Sequence, residues 1–171
     1  MGCRDKFIDL RCENTATTLS VEFGTTLSEV LSGLEFEQPY PILAARVNNA
    51  YKDLSYKVYK PVTVEFFDMR HFEGYRVYQR TLSFVMQMAS LELFAEDKLR
   101  IRHSLGNGFY AEFDSLRTLG DEQIALLKSR MHDIVARKLP ITRQKRLTQE
   151  IIAQYEEYGF DDRVELLKTR P

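Results

Sequence analysis

The feature that most constrains this chain is a change of hydrophobic period at Gly24. Before it, Ile8, Leu10 and Cys12, then Leu19, Val21 and Phe23, alternate with other residues, the period-two pattern of strands with one buried face. After it, Leu27, Val30, Leu31 and Leu34 fall at helical spacing, with Thr25 or Thr26 placed to cap the first turn and Gly33 near the end. Pro39 and Pro41 then break the chain. Strand patterns follow at 42–47, 54–59 and 62–67, with a turn at Asn48-Asn49. One short helix among several short strands can hide its apolar stripe only by lying on the sheet those strands form.

That order, strand, strand, helix and then several strands, is the order of a ubiquitin-like β-grasp, expected here over residues 1–68 by analogy with known folds. This part carries seven basic against ten acidic residues, so the remaining 69–171 is slightly positive. In that remainder, 75–94 has two apolar stripes: Leu82, Val85, Met86, Ala89 and Leu93, and then Phe84, Met88 and Leu91. A helix with one wet side needs a single stripe, so the pattern predicts a central helix buried on more than one face, its methionines serving as core. Strand-like runs at 98–103 and 109–114 flank Ser-Leu-Gly-Asn-Gly, whose Asn107-Gly108 step suits a hairpin. Thr118 and Asp121 have capping-box spacing before a helix carrying Ile124, Leu127, Met131, Ile134 and Val135, which Pro140 ends. An extended stretch at 141–146 and two short helical patterns complete an α+β chain of two domains, 1–68 and 69–171.

Composition excludes several classes of protein. With 44% hydrophobic and 29% charged residues in 171, the chain can build a core and is not a disordered polyampholyte. No apolar run reaches the roughly 18–20 residues that cross a bilayer, and MGCRDKFIDL lacks the apolar heart of a signal peptide, so no membrane partner and a cytoplasmic location are expected. Cys3 and Cys12 have no second pair to complete a zinc site, and His71, His103 and His132 share no ligand-like spacing, so no metal is expected. A net charge of -1 leaves room for no more than a local basic patch. No Gly-Lys-Ser or Gly-Lys-Thr occurs, so the chain has no phosphate-binding loop of that kind, and no cofactor is expected.

Asn107-Gly108-Phe109-Tyr110-Ala111-Glu112, followed by Arg117-Thr118-Leu119 and then Arg130-Met131-His132, resembles the second N-terminal domain of threonyl-tRNA synthetases, where NGFYYD precedes RTL and a KRMH helix. The two patterns run together without a gap from about Arg80 to Arg146. Upstream, Ala45-Arg46-Val47-Asn48-Asn49 with 62–67 resembles the TGS domain, the β-grasp module that precedes it in those enzymes.

The resemblance implies a domain that removes mischarged serine from tRNA with a His-x-x-x-His pair, one turn apart on the central helix. The matching positions here are Arg80 and Phe84. A guanidinium cannot serve as a base near neutral pH, and a phenyl ring neither ligates nor transfers a proton. Ala111 replaces the second tyrosine of NGFYYD, and the Cys and His that complete the family's site fall beyond Pro171. A chain with these departures is also similar to the front of nucleoside kinases of the uridine kinase and phosphoribulokinase type in Bacteroides relatives. That resemblance implies a non-catalytic binding or regulatory region whose partner is a C-terminal ATP-dependent kinase domain of the same polypeptide, this chain being a fragment. The alternatives are the TGS and editing region of a threonyl-tRNA synthetase, or a free-standing RNA-binding adaptor.

One further feature bears on RNA or nucleotide as partner and reads either as an ordinary solvated surface or as a strip facing an RNA backbone. Residues 128–146 hold Lys128, Arg130, Arg137, Lys138, Arg143, Lys145 and Arg146 against the single acid Asp133. On a helical wheel Arg130 and Arg137 nearly coincide while Lys128 lies about half a turn away, so the helical part presents no focused face. Arg143, Lys145 and Arg146 in the extended part are the candidate contacts to an RNA backbone.

Overall fold

The computed structural model describes residues 7–106, 108–115, 118–142 and 144–169. Five strands, β1 (Phe7–Cys12), β2 (Thr17–Glu22), β3 (Ala44–Val47), β4 (Ala50–Lys52) and β5 (Val62–Phe67), form one mixed sheet in the order β2-β1-β5-β3-β4. β1 runs antiparallel to β2, with Ile8 opposite Val21 and Leu10 opposite Leu19, and parallel to β5, with Leu10 opposite Val62. β3 is antiparallel to both β5 and β4. Asn48, at φ 52, makes the β3–β4 turn, as the Asn-Asn step predicts.

Helix α1 (Leu27–Ser32) is only six residues long, too short to persist by propensity, so caps and burial hold it. Thr26 Oγ1 accepts the Glu29 N–H at 3.2 Å while Glu29 Oε2 accepts the Thr26 N–H at 2.7 Å, a complete capping box. These bonds from Thr26 hold the Glu29 carboxyl below its usual pKa. Leu27 and Val30 are buried among Leu10, Cys12, Ala45, Val58 and Val64, and each such aliphatic chain contributes about 1.5–3 kcal/mol on leaving water. The fold is α+β, and its first part is the expected β-grasp.

One expected strand is absent. Residues 54–59 cross one end of the sheet and bond to the chain around α1: Gly24 N–H donates to Val58 C=O, Leu27 N–H to Tyr56 C=O and Ser28 N–H to Leu54 C=O. The alternation of Leu54, Tyr56 and Val58 therefore records one buried side of an irregular crossing, not a place in the sheet.

By compactness the described chain divides into 1–136 and 137–171. In the first unit, α2 (Phe72–Leu93) packs on α3 (Asp121–Ala136) through Val85, Ala89, Leu127 and Ile134, and the hairpin β6 (Leu99–Leu105) and β7 (Gly108–Phe113) adjoins α2, with Phe94 edge-on to Phe113. Met86, Met88 and Met131 pack into this core. The expectation that α2 is buried on more than one face is corrected: Phe84 is 55% exposed, and Leu91 and Leu82 are exposed as well. The α3 cap also differs, because Gln123 Oε1, not Thr118, reaches the start of the helix, accepting the Gly120 N–H at 2.8 Å. In the second unit α4 (Thr148–Glu157) and α5 (Asp161–Lys168) pack together; Tyr155 meets Phe160 edge-on, and Lys168 pairs with Glu156 at 2.9 Å. No described helix is long and apolar enough to cross a membrane.

Candidate functional site

Helix α2 begins at a tight junction with the β-grasp. The His71 side chain accepts the Glu73 N–H at 3.2 Å, capping the helix, and its ring stacks on Phe67 of β5 at 3.9 Å. Asp68 is buried and accepts from the Arg70 N–H at 2.8 Å and from the Arg70 guanidinium at 2.7–3.2 Å. These bonds from Arg70 hold its carboxyl below the ordinary aspartate range. The end of β5 is thereby held to the first turn of α2.

Two turns along, Arg80 and Phe84 lie one helical turn apart, as the i, i+4 spacing requires, and both are exposed. Ala111 is placed separately, on β7 opposite Ile101. A guanidinium, a phenyl and a methyl group can bind and shape a surface, but none can activate water near neutral pH. The described histidines have separate settings: His71 caps α2, His103 stacks on Tyr110 at 5.2 Å and His132 is exposed on α3. Among the described residues no cluster of His, Cys, Asp and Glu could hold a metal.

The hairpin carries an ionic ladder that reading the sequence did not anticipate. The register slips between Ile101 and His103, so Arg102 donates to Glu112 at 2.6 Å while Arg100 reaches Asp114 at 2.9 Å. Tyr110 donates its hydroxyl to the other Glu112 oxygen at 3.1 Å. That bond and the carboxylate charge push the Tyr110 pKa up, whereas Arg102 chiefly, with Tyr110, lowers that of Glu112. Tyr110 therefore stays a phenol and the acids stay ionised. The signal was present in the i, i+2 pairs Arg100, Arg102 and Glu112, Asp114 on facing strands, but a bulge hides which partners meet.

The basic stretch is only partly available to a ligand. Arg130 is held by Glu92 and lies 3.8 Å from Asp133. Arg146 donates to Gln144 at 2.8 Å, Lys145 is exposed, and Arg143 lies outside the described residues. The stretch also straddles the division at 136/137.

No protein-family profile matches the chain. It is 31% identical over 148 residues to a threonine–tRNA ligase of Symbiobacterium thermophilum, covering 86% of this chain and 23% of that protein. It is 26% identical over 153 residues to the threonine–tRNA ligase of Clostridium kluyveri (90% and 24%) and 30% identical over 146 to that of Carboxydothermus hydrogenoformans (85% and 23%). The chain spans about a quarter of the length of these relatives. Over most of its length it is thus similar to threonine–tRNA ligases, and its β-grasp followed by an α+β region fits the TGS and editing-like arrangement.

Proposed function

We propose that this chain is the TGS and editing-like front region, divided into 1–68 and 69–171, of a cytoplasmic threonyl-tRNA synthetase-like protein, and that it contacts tRNA without hydrolysing it. The observation that carries this reading is the likeness to threonine–tRNA ligases over 85–90% of the chain, and the lack of hydrolysis rests on Arg80 and Phe84, exposed on α2 at the positions where the resemblance implies a histidine pair. Lys145 and Arg146, with Arg143, are the proposed contacts to the RNA backbone. The test is incubation with seryl-tRNA: the chain retains tRNA, with binding weakened by Lys145→Ala and Arg146→Ala, and shows no deacylation above buffer. Loss of general acid or base assistance alone costs about 10²–10⁴ in rate. Deacylation that disappears when Arg80 is changed would overturn the reading.

The departures at Arg80, Phe84 and Ala111 favour a second reading, a regulatory front region of a uridine kinase-like nucleoside kinase. ATP-dependent phosphorylation of uridine by the full gene product, with no threonylation of tRNA, would establish that reading in place of the first.

A further inference from the structure

A sheet edge leaves alternate backbone groups without a partner, and proteins ordinarily blunt it by shortness, charge, proline or a bulge. Of the edges in the described fold, β4 is three residues long and carries Lys52, and the hairpin strands carry Arg100, Arg102 and Glu112. β2 has none of these devices. Its sequence Thr-Thr-Leu-Ser-Val-Glu places the one charge at the end, contains no proline and keeps an unbroken register against β1.

The direction of its free groups follows from β1. Glu13 N–H donates to Val64 C=O of β5 at 2.9 Å, so Arg11 and Asp9, in step with it, turn their backbone groups to β5, while Ile8, Leu10 and Cys12 turn theirs to β2. Their partners Val21, Leu19 and Thr17 therefore spend both groups on β1. Thr18 and Ser20 direct N–H and C=O outward, and Glu22 its N–H; the Glu22 C=O accepts from the Thr25 N–H at 3.1 Å and from its hydroxyl at 2.7 Å. Side chains divide in the same way. Leu19 and Val21 are half-buried at the rim of the core, on the face that holds Leu10, whereas Thr18, Ser20 and Glu22 are exposed on the opposite face with Arg11.

An edge of this kind is complementary to itself. We propose that the β2 strands of two copies of this chain pair antiparallel about a two-fold axis at Ser20, joining their sheets into one. Ser20 of each copy exchanges N–H and C=O bonds with Ser20 of the other, and each Glu22 N–H donates to the Thr18 C=O across the axis. Leu19 then lies opposite Val21 of the second copy and covers its open side. A register centred on Leu19 offers as many backbone bonds, and charge decides between the two. Centring on Ser20 sets Glu22 of the second copy beside Thr18, whose neighbour on β1 is Arg11. Arg11 and that Glu22 share a face two strand spacings apart, about 10 Å, which two extended side chains span. Neither Arg11 nor Glu22 has an ion-pair partner among the described residues, and the axis joins them twice. So small an interface, at or below about 1,200 Å² in total, makes the dimer concentration-dependent.

Sedimentation velocity of the full chain, from dilute solution to about 1 mM, should show the mass rising from one copy to two. Ser20→Pro removes a donor that β1 does not use, so the fold tolerates it, and it should weaken the dimer at least about tenfold. Arg11→Glu and Glu22→Lys should each weaken it at least about threefold, by setting like charges together, and the double variant should restore it. Amide exchange in the unaltered protein supplies a second measurement. The Thr18, Ser20 and Glu22 amides should slow at least about fivefold between dilute and concentrated samples, while those of Thr17, Leu19 and Val21 stay protected throughout. A monomer at every concentration, a dimer indifferent to Ser20→Pro, a double variant no better than the single ones, or edge amides whose exchange ignores concentration would each overturn the proposal. So would capture of an extended peptide along β2 by a chain that stays monomeric.

Discussion

Gly74 sits where helix propensity and packing disagree. A Cβ built on it would lie 2.0 Å from the carbonyl oxygen of Asp68 and 2.8 Å from that residue's carbonyl carbon. Alanine is worth about 1 kcal/mol over glycine in a helix interior, but the neighbour here is backbone, held in place by the Asp68–Arg70 bonds, and cannot swing aside. Overpacking of this kind costs about 1–3 kcal/mol, so Gly74→Ala should lower the melting temperature despite its better propensity. A raised melting temperature would show that the 68–71 turn yields. Asp68 itself gives a pH signature. Its pKa is lowered by Arg70, so its contribution is fully present above the unfolded value, near 3.9, and is lost as pH falls through the folded value below that. Between pH 4 and 2 the urea midpoint of the native chain should fall more steeply than that of Asp68→Asn; parallel curves would remove Asp68 from the account. Nothing in the sequence marks Asp68 as buried, because its partner Arg70 is two residues away in a turn whose path only the structure shows.

At the scale of elements, the hairpin shows how far local rules reach. The Asn107-Gly108 step points to a hairpin, and β6 and β7 form one, but the left-handed residue is Gly106, at φ 57, while Gly108 begins β7 without a positive φ and Asn107 lies outside the described residues. Nothing lies within 4 Å of a Cβ on Gly106, so Gly106→Val should cost only the conformational penalty, about 1–2 kcal/mol. Gly108→Val should cost less, its nearest neighbour being the Leu105 oxygen at 3.8 Å. Equal melting of the two variants would contradict the placement of the turn. The capping box of α1 was legible because Thr26 and Glu29 act on each other within one turn. The cap of α3 was misread because Thr118 and Asp121 have the right spacing, but the helix begins after Gly120, where Gln123 reaches back instead. Of the second stripe of α2, Met88 packs into the core while Phe84 and Leu91 do not, for a different reason: periodicity reports which residues are apolar, and their burial needs a neighbour that the described fold does not place over them.

Across the whole molecule, apolar burial is uneven, and stability should follow it. The β-grasp core joins ten buried residues, with Leu10, Leu27, Ala45, Val58 and Val64 at 0% exposure, whereas the core between α2 and α3 joins four. The first set draws on strands far apart in sequence, since Leu10 of β1 lies opposite Val62 of β5, so its amides open only when the sheet as a whole does. Helix α3 leaves Ile124, Leu126 and Val135 exposed and is held mainly through Leu127 and Ile134, so it can detach at a smaller cost. This unevenness lies within the compact unit 1–136. It predicts that amides of β1 and β5 exchange with solvent the slowest, and that those of α3 and of the hairpin exchange at least tenfold faster under native conditions. That ratio corresponds to about 1.4 kcal/mol between local and global opening. Hydrogen exchange followed by peptide mass spectrometry measures it directly, and uniform protection from β1 through α3 would show instead that the junction at Phe67, Asp68 and His71 makes the two cores open as one.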